Sequence, residues 1–124
     1  MKANELMIGD WMRHVNGTPM QVTKITTVHF ACAKNGGANC WEYNNKFEPI
    51  PLTKELLKKN GFELIKGIYP TLRNHYKDII FQMVEIEETK HNKPFYTFKG
   101  YPIFYVHQLQ HALKLCEIDK EIVV

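Results

Sequence analysis

The sequence predicts an α+β protein, with a small barrel-like start followed by an antiparallel sheet with two helices. Up to residue 50, apolar residues alternate in short runs between turn dipeptides, as in β-strands. Two stretches, 53–60 and 105–116, instead have the sequence signals of helices. After residue 62 the apolar residues again alternate with a period of two, as in β-strands. At 124 residues the chain has the size of one domain, which we divide into a lobe over 1–50 and a lobe over 51–124.

The first lobe begins with two strand patterns, IGDWMRHV and PMQVTKITTV, which flank Asn16-Gly17. This dipeptide tolerates positive φ and is typical of hairpin turns. A second turn signal, KNGGAN, separates VHFACA from CWEY. The combination of Gly9-Asp10, a strand, Asn16-Gly17 and further apolar residues resembles the opening of small SH3-like barrels, including the KOW type of nucleic-acid-associated proteins.

The segment EPIPLTKELLKKNGFELI predicts a short structural helix. Thr53 suits the N-cap, and Lys58 and Lys59 complement the carboxyl end of the helix dipole. Asn60-Gly61 predicts the end of the helix, with Phe62 folding back as in a Schellman motif.

The second lobe continues with four strand patterns and a closing helix. The predicted strands are FELI, GIYPTL, DIIFQMVEI and PFYTFKGY, with HNKP as the turn before the last. YVHQLQHALKLC predicts the second helix.

Composition excludes several classes of protein. The chain is 44% hydrophobic and 23% charged, with a net charge of +3 that is carried by residues 1–62. This excess is too small for a nucleic-acid coat protein. The sequence has neither a membrane-length apolar run nor a signal-like start, so we expect a cytoplasmic protein without membrane partners. Three cysteines at irregular spacing predict reduced thiols.

Three segments, MKANELMIGDWM, EPIPLTKELLKKNGFE and YVHQLQHALKLC, occur in an order that resembles a group of small uncharacterised proteins encoded by gut Bacteroidetes and their phages. The resemblance covers most of the chain and is weakest over 66–100. It implies a setting on phages and mobile elements and no mechanism. Members of the group tend to have Asn where this chain has His111.

The closing helix offers the first candidate site. At 100° per residue, His107, His111 and Lys114 fall together, opposite an apolar stripe that begins at Tyr105. The i, i+4 histidines could share zinc, but the helix lacks the glutamate of His-Glu-x-x-His and Lys114 would repel a cation. This face suits an anion better, and an ordinary solvated surface stays open as an alternative.

Aromatic residues give the second candidate. Trp41 and Tyr43 alternate on one predicted strand and could stack on a base while Arg13 reaches a phosphate, or they could form the core. For Trp11 we expect a core position.

Two weaker candidates complete the set. His29, Cys32 and Cys40 have residue types that bind zinc, but Cys32 and Cys40 do not have the spacing of a zinc knuckle. Arg73 opens a polar loop, Arg73–Lys77, that could bind a partner.

Together with the phage or mobile-element setting that the resemblance implies, these patterns predict a non-enzymatic accessory protein that binds an anionic nucleotide-type molecule and sequesters a defence signal. We expect no cofactor and no metal, and a homo-oligomer would be consistent with such a binder. The alternatives are an SH3-like module for nucleic acid or a host protein, and a small zinc-dependent hydrolase. The predicted ligand-binding residues are Arg13, Trp41, Tyr43, Arg73, His107, His111 and Lys114.

Overall fold

A computed structural model describes residues 5–34, 37, 46–65, 67, 69–73, 79–88 and 93–124. The chain divides into two compact units, Met1–Ile50 and Pro51–Val124. The strands of the first unit are β1 Trp11–His14, β2 Pro19–Ile25, β3 Phe30–Ala33 and β4 Phe47–Pro49. The elements of the second unit are α1 Lys54–Lys59, β5 Glu63–Ile65, β6 Tyr69–Arg73, β7 Ile79–Gln82, β8 Val84–Glu88, β9 Lys93–Phe98, β10 Tyr101–Ile103 and α2 Val106–Leu115. The predicted α+β class is confirmed.

The first unit contains a four-stranded antiparallel sheet in the order β3-β2-β1-β4. The predicted hairpin at Asn16-Gly17 is confirmed, with Gly17 at φ 92° and His14 N–H donating to Thr18 O at 2.9 Å. Within the described residues of this unit, β3 and β4 are the two edges of the sheet. The predicted strand CWEY lies outside the described part of the chain, and so do residues 35, 36, 38 and 39 of the turn before it.

One face of this sheet forms a hydrophobic core. Its buried members are Leu6, Met12, Val22, Phe30, Cys32 and Phe47. Trp11 is half-buried and adjoins Met12, so it lies on the other face of β1, because successive strand residues alternate between faces. The prediction that Trp11 belongs to the core is therefore wrong.

The second unit has two three-stranded antiparallel sheets, β5-β6-β7 and β10-β9-β8. The run DIIFQMVEI, predicted as one strand, divides at the buried Met83, whose N–H donates to Pro70 O at 2.9 Å. PFYTFKGY likewise divides at Lys99-Gly100, where both residues have positive φ, 51° and 84°. The predicted single second sheet is thus two sheets, which divide at Met83, whereas Lys99-Gly100 is the turn between the neighbouring strands β9 and β10.

Helix α1 agrees with its predicted caps. Leu56 N–H donates to the hydroxyl of Thr53 at 3.2 Å, and Gly61 has φ 86° just after the C-cap Asn60. Phe62 N–H donates to Leu57 O at 3.0 Å, the hydrogen bond that defines a Schellman ending.

Helix α2 also lies where it was predicted. It buries Val106, Leu109, Ala112 and Leu113 on one side. No helix in the described part of the chain is long and apolar enough to cross a membrane.

Candidate aromatic and histidine site at helix α2

The start of α2 is held by hydrogen bonds on both sides of Tyr105. Leu52 N–H donates to Phe104 O at 2.9 Å, next to a β-bridge between Pro51 and Tyr105. The side-chain oxygen of Gln108 accepts from the N–H groups of Phe104 at 2.7 Å and Tyr105 at 3.1 Å. These bonds satisfy donors that precede the helix, so the side chains at its start project from a fixed backbone.

Five rings follow one another along this region, and we call them the ring series. Phe95 and Phe104 have centroids 5.3 Å apart, and Phe104 and Tyr105 are separated by 6.3 Å. Tyr105 and His107 are stacked at 5.8 Å with an interplanar angle of 10°. His107 and His111 meet edge to face at 5.6 Å. Aromatic pairs at such distances attract one another beyond the effect of buried area.

Exposure varies along the ring series. His107 is only 4% exposed, whereas Phe104 is 43% exposed and Tyr105 and His111 are half-buried. The prediction that His107 lies on the solvent side of the helix is therefore wrong. His107 and the exposed Lys114 lie only about 20° apart around the helix axis but two turns apart along it. Burial thus depends on the position along α2 as well as on the angle.

The site has the groups for binding an anion beside a flat ring. Phe104 and Tyr105 offer partly exposed ring surface for stacking, while His111 and Lys114 offer N–H donors farther along the helix. His107 lies inside and supports Tyr105 and His111 rather than facing solvent. Among the described residues, no group of three or more His, Cys, Asp or Glu side chains is placed to hold a metal ion.

The other predicted site residues are Arg73, Arg13, Trp41 and Tyr43. Arg73 lies on β6, half-buried, with its Nε 3.5 Å from Glu63 Oε2. The rest of its predicted loop, 74–77, lies outside the described residues. Arg13 belongs to the first unit, where it is half-buried on the same face of β1 as Trp11. Trp41 and Tyr43 are also outside the described residues.

The zinc candidate of the first unit is not assembled among described residues. His29 is exposed beside β3, while Cys32 is fully buried in the core of its unit. Cys40 lies outside the described part of the chain.

Sequence reasoning missed a second polar cluster, built on β8, β9 and α1. Glu85 and Tyr96 are direct cross-strand partners, so their side chains share one face of the sheet. The Lys54 ammonium is 3.2 Å from Glu85 Oε1, an ion pair without hydrogen-bond alignment. No described residue hydrogen-bonds the buried Tyr96 hydroxyl. The residues next to Glu85 in the sequence contain no signal that marks the burial of its side chain.

Burial, followed by the negative charges of Glu85 and Glu55, raises the pKa of Tyr96 to about 12. Desolvation disfavours the charged phenolate, and nearby carboxylates disfavour it further. Tyr96 therefore keeps its proton above pH 10, where an exposed tyrosine loses it.

No protein-family model, curated protein or solved structure matches this chain.

Proposed function

We propose that the protein is a non-enzymatic binding protein that holds an anionic, ring-bearing ligand of the nucleotide type at α2. The ring series carries this proposal, because it runs from the buried His107 outward to the exposed Phe104. A buried ring that supports partly exposed rings fixes their orientation before a ligand arrives. Preorganised rings lose less conformational freedom on binding.

The spacing along α2 suits a ligand with a base at one end and phosphates at the other. With a rise of 1.5 Å per residue, His111 lies about 9 Å and Lys114 about 13 Å along the axis from Tyr105. A base stacked on Tyr105 or Phe104 would contribute about 1–3 kcal/mol. The phosphates would accept hydrogen bonds from His111 and Lys114.

The resemblance to proteins of Bacteroidetes phages supports a more specific role. A phage accessory protein that binds nucleotides without converting them can sequester a signal produced by bacterial defence. This role needs affinity alone, which partly exposed rings and N–H donors can supply.

Titration with cyclic and ADP-ribose-derived nucleotides, followed by native mass spectrometry and calorimetry, tests the proposal. We expect a mass increment for one nucleotide class, with affinity reduced at least about tenfold in Tyr105→Leu and Lys114→Gln. Lys120→Gln is the matched control, because Lys120 is exposed and lies beyond α2. A bare polypeptide mass at millimolar concentrations of every nucleotide would contradict the proposal.

A second candidate function rests on β1. Trp11 and Arg13 share its non-core face, and an aromatic side chain beside a cation is the combination that binds single-stranded nucleic acid. In this proposal the four-stranded sheet belongs to an SH3-like barrel that binds nucleic acid or a host protein.

Salt dependence tests the nucleic-acid form of this second proposal. Binding to an oligonucleotide should weaken steeply as salt rises, because counterions are released on association. Arg13→Gln should weaken binding, whereas Lys46→Gln, at an exposed lysine before β4, serves as the control. Absence of any binding at low salt would exclude the nucleic-acid form.

A further inference from the structure

The segment 118–124, which follows α2 and which we call the strap, packs back on the end of α1. Ile122 and Asn60 are both buried, at 4% and 3% exposure. The strap carries Asp119 and Glu121, and the last turn of α1 carries Lys58 and Lys59, so their charges are opposite.

The side chain of Asn60 forms hydrogen bonds with the strap backbone, as the backbone of a neighbouring strand would. Its Nδ2 donates to Val123 O and to Leu56 O, each at 2.8 Å, and its Oδ1 accepts from Val123 N–H at 2.8 Å. Lys59 Nζ also donates to Val124 O at 3.0 Å. One carboxamide therefore pairs with both the donor and the acceptor of one strap residue.

The hinge between α2 and the strap is strained. Ile118 N–H donates to Leu113 O at 2.9 Å and Glu117 N–H to Lys114 O at 3.0 Å, which makes a Schellman ending with Glu117 as the left-handed residue. Glu117 has φ 57°, whereas the equivalent position after α1 is Gly61 at φ 86°. A side chain at such φ is unfavourable, and glycine avoids the cost.

From this geometry we propose that the strap is exchanged between two copies of the chain. The hydrogen bonds between Asn60 and Val123 are the same whether one copy or two supply the partners. An exchanged hinge can leave the left-handed conformation, so the strain at Glu117 is released in the dimer but retained in the monomer. Strained hinges favour such exchange, and seven extended residues reach about 23 Å.

Three substitutions at the exposed Glu117 test the exchange without removing a core side chain. Glu117→Gly relieves the strain in the monomer, and we expect the dimerisation constant to fall about tenfold or more, because each dimer contains two hinges. Glu117→Pro cannot adopt positive φ and should raise the dimer fraction. Glu117→Ala is the matched control, since it keeps a Cβ at the same φ and should resemble the parent protein.

Dimer fractions are to be measured by native mass spectrometry and light scattering after refolding at several protein concentrations. Opposite shifts for Glu117→Gly and Glu117→Pro, with Glu117→Ala unchanged, are the expected result. A dimer that is insensitive to all three substitutions would be an ordinary surface dimer and would overturn the proposal. Monomers of every variant at the highest concentration would overturn it too.

Complementation gives a second measurement. Asn60→Ala damages the receiving site and Ile122→Ala damages the strap, so neither variant can form an intact contact alone. A mixture can form one intact contact in a heterodimer, and we expect heterodimers in excess of the statistical ratio. A statistical ratio would count against exchange. If Asn60→Ala does not fold, the Glu117 series decides the question.

Discussion

Asn16 in the first unit and Asn60 in the second make side-chain hydrogen bonds that differ greatly in how far along the chain they reach. In the first unit, Asn16 N–H donates to His14 Nδ1 two residues away, and Thr18 N–H donates to Asn16 Oδ1, again two residues away. In the second unit, the Asn60 side chain pairs with the backbone of Val123, 63 residues away. Short-range bonds shape turns that neighbouring residues already favour. Long-range bonds hold together segments that would otherwise separate.

Core aromatic residues should show the largest effects, and similar ones in the two units. Phe30→Ala removes a fully buried ring that lies 5.4 Å from Phe47, and Phe81→Ala removes one stacked 4.4 Å from Phe98. Each should reduce the free energy of unfolding by about 3–5 kcal/mol, measured by denaturant titration. Val28→Ala, at an exposed side chain, is the control and should change it by less than about 0.5 kcal/mol. A loss below about 1 kcal/mol in either phenylalanine variant would contradict the assigned core.

The same amide substitution should distinguish the two units directly. Asn60→Ala removes two part-buried hydrogen bonds to the N–H and C=O of Val123, at a cost of about 1–3 kcal/mol. Asn16→Ala removes one exposed turn bond and should cost less than about 1 kcal/mol. Thermal and denaturant unfolding of the two variants make the comparison. Equal losses would show that the long-range bond contributes no more than the local one.

Alanine substitutions at glycines with positive φ should reduce the free energy of unfolding equally in the two units. Gly17 and Gly61 have φ 92° and 86°, and a Cβ at either position would have open space. Alanine at each should therefore cost about 1 kcal/mol through backbone strain alone. Substantially unequal losses in denaturant titrations would mean that surroundings beyond the local backbone set the cost.

Tyr96→Phe should have the smallest effect at neutral pH, within about 1 kcal/mol, because it removes a buried hydroxyl that no described residue bonds. At high pH its effect should grow. The pKa of Tyr96 is raised from 10.0 to about 12, so between these values the unfolded chain loses a proton that the folded chain retains. Raising the pH through this window therefore favours unfolding.

Denaturation midpoints at pH 8, 10 and 11 would measure this linkage. The parent protein should lose more stability than Tyr96→Phe between pH 10 and 11, since other tyrosines and lysines are common to both. Parallel pH profiles would refute the burial of an ionisable Tyr96.

Elements whose conformation depends on residues close in sequence were predictable from the sequence. The cap at Thr53, the ending at Gly61 and the hairpin at Asn16-Gly17 all match their predicted roles. The interruption at Met83 was missed, because the apolar run on either side of it contains no mark of a change of sheet. The hairpin turn at Lys99-Gly100, within one sheet, was missed as well. Within the candidate site, helix α2 was predicted but the burial of His107 was not.

The sequence by itself determined the hairpin at Asn16-Gly17, where both helices lie and the α+β class, because φ preferences, caps and periodicity act over a few residues. Only the tertiary structure decided which side chains become buried together. His107 beneath Tyr105, Tyr96 beside Glu85 and Asn60 against Val123 each need a partner that approaches through folding. Burial is a property of the surroundings in space, and residues distant in sequence supply those surroundings.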